Sequence, residues 1–165
     1  MSYVKDNLMP NEKILFSARI HPAVFLPAGV SFLGSIAFVI YAFRTASQKG
    51  GTSGVLSGFW LLISGMFFLY SIGLGIRALI SMVTTEFAVT NRRVIAKTGF
   101  IRRRTLEMLL PKIESVAVNQ NILGRLLNFG NVTITGTGGT KESFRTIDKP
   151  ITVRSKINQI IERYI

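Results

Sequence analysis

The sequence predicts an α+β membrane protein: a transmembrane α-helical hairpin followed by a small, curled antiparallel sheet that one amphipathic helix closes. Three observations predict it. Two uncharged apolar stretches, each long enough to cross a bilayer, lie within the first 76 residues. Beyond residue 77 the chain breaks into short alternating runs divided by glycines, and its last segment carries apolar residues at helical spacing. Charge follows the same division. Residues 1–76 hold five Lys or Arg against two Asp or Glu (net +3), and residues 77–165 hold fifteen against six (net +9), which together give the +12 of the whole chain.

Residues 1–22 read as a juxtamembrane segment containing Lys5, Lys13 and Arg19. Residues 23–43 are free of charge and supply the ~20 residues that a membrane-spanning helix needs. Pro27 falls in the first turns, where a missing backbone donor costs least, although it leaves a re-entrant form of this segment open. A second uncharged stretch supplies a span over 55–76. Its small residues Ser57, Gly58, Ser64, Gly65, Ser71, Gly73 and Gly75 are expected to face those of 30–35, because small side chains let helix backbones approach in lipid. The connector 44–54 is short, polar and glycine-rich, so the two helices form an antiparallel hairpin. A cleaved signal peptide would place a short apolar core near residue 1, whereas about twenty mixed residues come first here. Two buried soluble helices of this length would need more protein around them than the remaining residues provide. The connector holds two cations, Arg44 and Lys49, while Arg77, Arg92, Arg93, Lys97 and Arg102 to Arg104 follow the second span. Positive residues favour the cytoplasmic face, so both termini are expected in the cytoplasm and 44–54 on the other side.

After Arg77 strands are expected over 86–90, 94–97, 100–109, 113–118, 131–135 and 143–147. Phe87 and Val89 share a face, Asn91 to Arg93 turn the chain, and Gly99, Gly124, Gly130, Gly136, Gly138 and Gly139 separate the later strands. Short strands so closely spaced indicate an antiparallel meander or barrel. Val153, Ile157, Ile160, Ile161 and Tyr164 make one helical stripe, with Asp148 as the expected N-cap and Pro150 in the first turn.

The stretch Phe87-Ala-Val-Thr-Asn-Arg-Arg-Val-Ile-Ala-Lys-Thr-Gly99 and the run from Ile113 through Leu123-Gly-Arg125 and Gly130-Asn-Val132 to Thr135 resemble the bacterial pleckstrin-homology-like (PH-like) family of two-span membrane proteins. Leu8-Met-Pro-Asn-Glu-Lys-Ile14, with Arg19 to Pro22, resembles the segment that such proteins carry before their first span. The resemblance covers nearly the whole chain. It implies a partly open, seven-stranded β-barrel capped by the C-terminal helix, a PH-like domain over 82–165 and a bacterial cytoplasmic membrane location, but no particular activity.

The basic cluster is the sharpest chemical feature. On a strand, Arg102 and Arg104 share a face with Phe100, Leu106 and Met108. Guanidinium groups match phosphate oxygens bidentately, so Arg92, Arg93, Lys97, Arg102 and Arg104 are the lipid-phosphate candidates. The alternative is a diffuse basic face that attracts anionic lipid at ~1 kcal/mol per charge. Ile122, Leu123, Leu126, Leu127 and Phe129 form an apolar loop, either a partner-contact patch or a short helix packing over the sheet. Thr135 to Thr140 is glycine-rich but lies between strands and lacks the lysine of a phosphate-binding loop, so a hairpin is expected.

No catalytic residue, metal site or cofactor is expected. The chain has no cysteine and one histidine, His21. Glu86, Glu107, Glu114 and Glu142 are scattered on different strands, without the pairing that acid–base chemistry requires. The positive charge suggests nucleic acid, but topology already accounts for it, and no aromatic platform for bases accompanies it. The expected function is a non-enzymatic, membrane-anchored module for protein interaction or assembly at the cytoplasmic surface, with a membrane-protein partner or its own copies. The alternative is an anionic-lipid headgroup sensor or lipid-handling protein that uses the arginine cluster.

Overall fold

The computed structural model describes residues 3–47, 53–99 and 104–164. In chain order, helix α1 (Tyr3–Asp6) and strand β1 (Ile14–Ala18) precede helices α2 (Leu26–Ala46) and α3 (Ser53–Thr84). Strands β2 (Glu86–Thr90), β3 (Arg93–Thr98), β4 (Arg104–Leu109) and β5 (Ile113–Asn119) come next, then helix α4 (Ile122–Leu126), strands β6 (Phe129–Gly136) and β7 (Lys141–Asp148), and helix α5 (Pro150–Tyr164). Two compact units result, one of residues 24–79 and the other of residues 1–23 with 80–165.

The first unit is a helical pair. Both helices are long and apolar enough to cross a membrane. At 1.5 Å per residue, the 21 residues of α2 measure about 32 Å and the 32 of α3 about 48 Å. Pro27 sits at the start of α2, where its missing donor is harmless. Helix α3 runs past Arg77 to Thr84 because Ala78, Leu79, Ile80, Met82 and Val83 continue the apolar helical pattern. Buried small residues recur every seven positions: Ser35 and Ala42 in α2, and Ser64, Ser71 and Ala78 in α3. This is the seam spacing of packed helices. Ser64 Oγ donates to the Ser35 carbonyl and Ser71 Oγ to the Ala28 carbonyl, each at 2.9 Å. The ring of Phe38 meets those of Trp60 and Phe67 at 5.8 and 5.3 Å. The α3 glycines expected in this interface are elsewhere: a Cβ added at Gly58, Gly65, Gly73 or Gly75 would touch nothing within 4 Å. On α3 serine makes the seam because its hydroxyl satisfies a carbonyl across it, while on α2 a Cβ added at Gly34 would meet the Phe67 ring at 3.5 Å.

The second unit contains two antiparallel sheets, ordered β1-β2-β3-β4 and β5-β6-β7. Strand β1, from ahead of the hairpin, pairs with β2 from behind it, with Ala18 opposite Phe87 and Ser17 opposite Ala88. Sequence patterning predicts no element at 14–18. Alternation explains the core. Phe87, Val89, Val94, Ala96 and Met108 of one sheet meet Val132, Ile134, Phe144 and Ile147 of the other, and Val153 and Ile157 of α5 cap them. Phe87 and Phe144 touch edge to face at 4.9 Å. On the outer face of the four-stranded sheet, Ala88 and Ile95 lie under Val4 of α1 in a second small core.

Five expected strands recur with near-identical bounds. Of the sixth, over 100–109, β4 is its described part, and residues 100–103 lie outside the described residues. Helix α5 begins at Pro150, and the Lys149 carbonyl accepts the amide of Val153 at 3.0 Å. Lys149, not Asp148, therefore holds the N-cap position. Its φ of +47° turns the chain out of β7, which leaves Asp148 as the last strand residue.

Candidate functional site

The turn between β2 and β3 organises a buried polar cluster. The hydroxyl of Thr90 accepts the amides of Arg92 and Arg93 at 3.2 and 3.0 Å and donates to Glu12 Oε1 at 2.7 Å. Asn91 Oδ1 accepts the Lys13 amide at 3.0 Å. Arg93, the first residue of β3, points to the outer face together with Ile95. Its Nε and Nη2 donate to the two oxygens of Glu12 at 3.0 and 2.9 Å, Nη2 also reaches the Asn7 carbonyl, and Nη1 pairs with Glu107. Glu12 further accepts the Met9 amide at 2.8 Å. Burial alone would raise the Glu12 pKa, but the hydrogen bonds from Arg93, Met9 and Thr90 overcome it and hold the carboxyl at about 2, against an ordinary 4.5. Hydrogen bonding to Glu12 raises Arg93 in turn. The cluster clasps the segment preceding β1 onto the sheet.

This geometry separates the phosphate candidates. Arg93 is consumed by two carboxylates and a carbonyl, so it is not free for a phosphate. Arg92 is exposed at one end of β3. Arg104 pairs in register with Thr98 at the other end, about 20 Å away by strand rise. Lys97 lies on the outer face with its ammonium 4.9 Å from the centre of the Tyr3 ring. Arg104 has the opposite parity, that of Leu106 and Met108, and is exposed 4.0 Å from Glu142. Arg102 lies outside the described residues. Among the described residues the cations do not converge on one cradle. Sequence spacing missed this because the partners of Arg93 are distant in the chain, Glu12 by 81 positions.

The other candidate residues have ordinary structural roles. His21 Nδ1 accepts the Ala23 amide at 3.0 Å, and its ring stacks on Phe129 at 5.5 Å. The glycine-rich segment is the β6–β7 hairpin, with Gly138 and Gly139 at φ of +88° and +80°, as a tight turn requires. Residues 122–126 form the short helix α4. Gly124 is buried, but Ile122, Leu123, Leu126 and Leu127 are exposed and Phe129 is half-buried. The short helix of the alternative reading therefore forms, with Gly124 close against the Phe129 backbone, but its apolar side chains do not pack over the sheet.

The family model described as bacterial PH domain matches residues 24–161. No curated protein and no solved structure matches the chain.

Proposed function

This chain belongs to the bacterial PH domain family, and we propose that it is a non-enzymatic, membrane-anchored module for protein interaction or assembly. In this reading the hairpin crosses the bacterial cytoplasmic membrane twice, and the β unit serves at the cytoplasmic surface, where it engages a membrane protein or further copies of this chain.

The observation that carries the reading is the composition of the β unit. Strand β1 comes from before the hairpin and β2 from after it, and they are hydrogen-bonded neighbours. A module tethered to its hairpin at both ends suits holding a surface in place better than travelling to fetch a ligand. The same pairing supports two crossings, since paired strands lie on one side of a bilayer. The excess of Lys and Arg in both flanks over the two in 44–54 supports the cytoplasmic side. The anionic-headgroup reading is the weaker one, because Arg93 is locked inside and Arg92, Lys97 and Arg104 lie apart.

Mass measurement of the full chain, extracted from native membranes in mild detergent, tests the proposal. The expected particle is a stoichiometric complex, either of several copies or with a second membrane protein. A strictly monomeric particle that co-purifies with nothing would overturn it.

A further inference from the structure

The segment 122–127 has an unusual construction. Ile122 is 87% exposed, Leu126 79%, Leu123 55% and Leu127 41%. Four branched apolar side chains stand in solvent on consecutive turns, yet their backbone is held closely. Asn121 Oδ1 accepts the Gly124 amide at 2.7 Å and the Asn121 carbonyl accepts that of Arg125 at 2.9 Å. Gln120 Nε2 donates to the carbonyls of Gly124 and Phe129 at 3.2 and 3.0 Å. Gly124 has no room for a side chain, since a Cβ would come within 2.5 Å of the Phe129 carbonyl oxygen. Polar bonds and a close backbone approach set the shape, and the burial of the leucines does not. An apolar surface preformed in this way is made to be covered by something else.

Two observations identify the cover. The first is where the chain goes. Phe129, directly after the segment, stacks on His21, and the His21 amide donates to the Thr146 carbonyl at 2.7 Å. His21 is followed at once by Pro22, where the first long apolar helical segment begins, so the chain leaves the β unit for the hairpin beside the base of this segment. The second is charge. Arg125 sits within the segment. Lys149 donates its amide to the Asn128 carbonyl at 2.9 Å, and the Arg19 carbonyl accepts the amide of Asp148 at 3.0 Å. Arg19, Arg125 and Lys149 are all exposed, with Asp148 the half-buried acid among them. Exposed apolar side chains with exposed cations on the same and on hydrogen-bonded neighbouring backbone are the chemistry that settles at the boundary of an anionic bilayer.

We propose that residues 122–127 are a preformed wedge that inserts Ile122, Leu123, Leu126 and Leu127 into the interfacial layer of an anionic lipid bilayer, with Arg19, Arg125 and Lys149 at headgroup level. The proposal rests on the reading of the hairpin as membrane-spanning and adds a third attachment, which fixes the tilt of the β unit on the surface.

The chain has no cysteine, so single sites can be labelled cleanly. Leu126→Cys, Leu69→Cys and Thr137→Cys variants of the full chain, each carrying a nitroxide, are reconstituted at low density in liposomes of phosphatidylethanolamine and phosphatidylglycerol. Collision with oxygen, which concentrates in lipid, is compared with collision with a water-soluble nickel chelate. Position 126 is expected to favour oxygen, as position 69 in α3 does, while position 137 in the β6–β7 turn favours nickel. Nickel access at 126 with oxygen access at 69 overturns the wedge and leaves the spanning hairpin intact. Low access to both reagents at 126 means that a second copy or another protein covers it, which also overturns the wedge. Nickel access at 69 overturns both readings.

Discussion

Arg93 shows how a single residue decides what a charged motif is for. Three cationic side chains within six positions, Arg92, Arg93 and Lys97, suggest an anion site. Buried against Glu12 and Glu107, Arg93 is instead the residue that holds residues 7–13 to the sheet. Removing one partner of a buried pair leaves an uncompensated charge, at a cost of about 3–5 kcal/mol. Arg93→Ala should therefore lower the unfolding midpoint of the β unit sharply, and an unchanged midpoint by circular dichroism would contradict the assignment. The Glu12 carboxyl adds a pH signature. Its pKa falls from 4.5 to about 2 on folding, so the unfolded chain takes up the proton more readily. The associated stability, roughly 3 kcal/mol, is complete above about pH 4.5 and lost as pH falls toward 2. In Glu12→Gln that acid-dependent component should disappear. A variant with the wild-type acid profile would show that another group titrates.

At the scale of elements, α4 and the helical seam make separate predictions. Asn121→Ala removes the cap of α4, which costs about 1 kcal/mol, and Gly124→Ala forces a Cβ against the Phe129 carbonyl. Both should speed amide exchange across 121–128 while leaving β2 and β3 protected, and equal exchange in the variants would refute the polar lock. In the hairpin, Ser64→Val breaks the bond to the Ser35 carbonyl at a buried position. A loss of about 0.6–2 kcal/mol is expected, read as easier separation of the helices in detergent titration, whereas Gly65→Ala, on an open face, should change nothing. These elements were unequally legible in the sequence. The hairpin helices followed from the length of their uncharged apolar runs, and β2 to β7 and α5 from hydropathy period, because burial on one face imposes it. Strand β1 left no such mark: its burial alternates, with Leu15 and Ser17 exposed and Ile14 and Phe16 half-buried, but Ile14, Leu15 and Phe16 are all apolar, so hydropathy does not show it, and the partner that makes them a strand comes more than seventy positions later, with Ser17 opposite Ala88. The turn residues Thr90 and Asn91 were visible as a family signature. Their role in clasping Glu12 and Lys13 was not, because hydrogen bonds between distant segments have no period.

At the scale of the whole molecule, the pairing of β1 with β2 restricts topology more tightly than charge counting does. Residues 14–18 precede both apolar helices and residues 86–90 follow them, yet they are joined strand to strand. A bilayer cannot pass between hydrogen-bonded strands, so the chain between them crosses it an even number of times. One crossing by either helix alone would place β1 and β2 on opposite faces and break the sheet, exposing Phe87 and Val89 and leaving Arg93 without Glu12. With two helices long enough to span, the count is two or none. Cysteine substitutions decide between them. Lys13→Cys and Lys141→Cys, both at exposed positions of the β unit, and Ser47→Cys, exposed directly after α2, are treated with an impermeant maleimide in intact cells and in inverted vesicles. Positions 13 and 141 should label only in inverted vesicles, and position 47 only in intact cells. Labelling of 13 and 141 from different sides would refute the strand pairing. Labelling of all three from one side would mean that the hairpin does not cross.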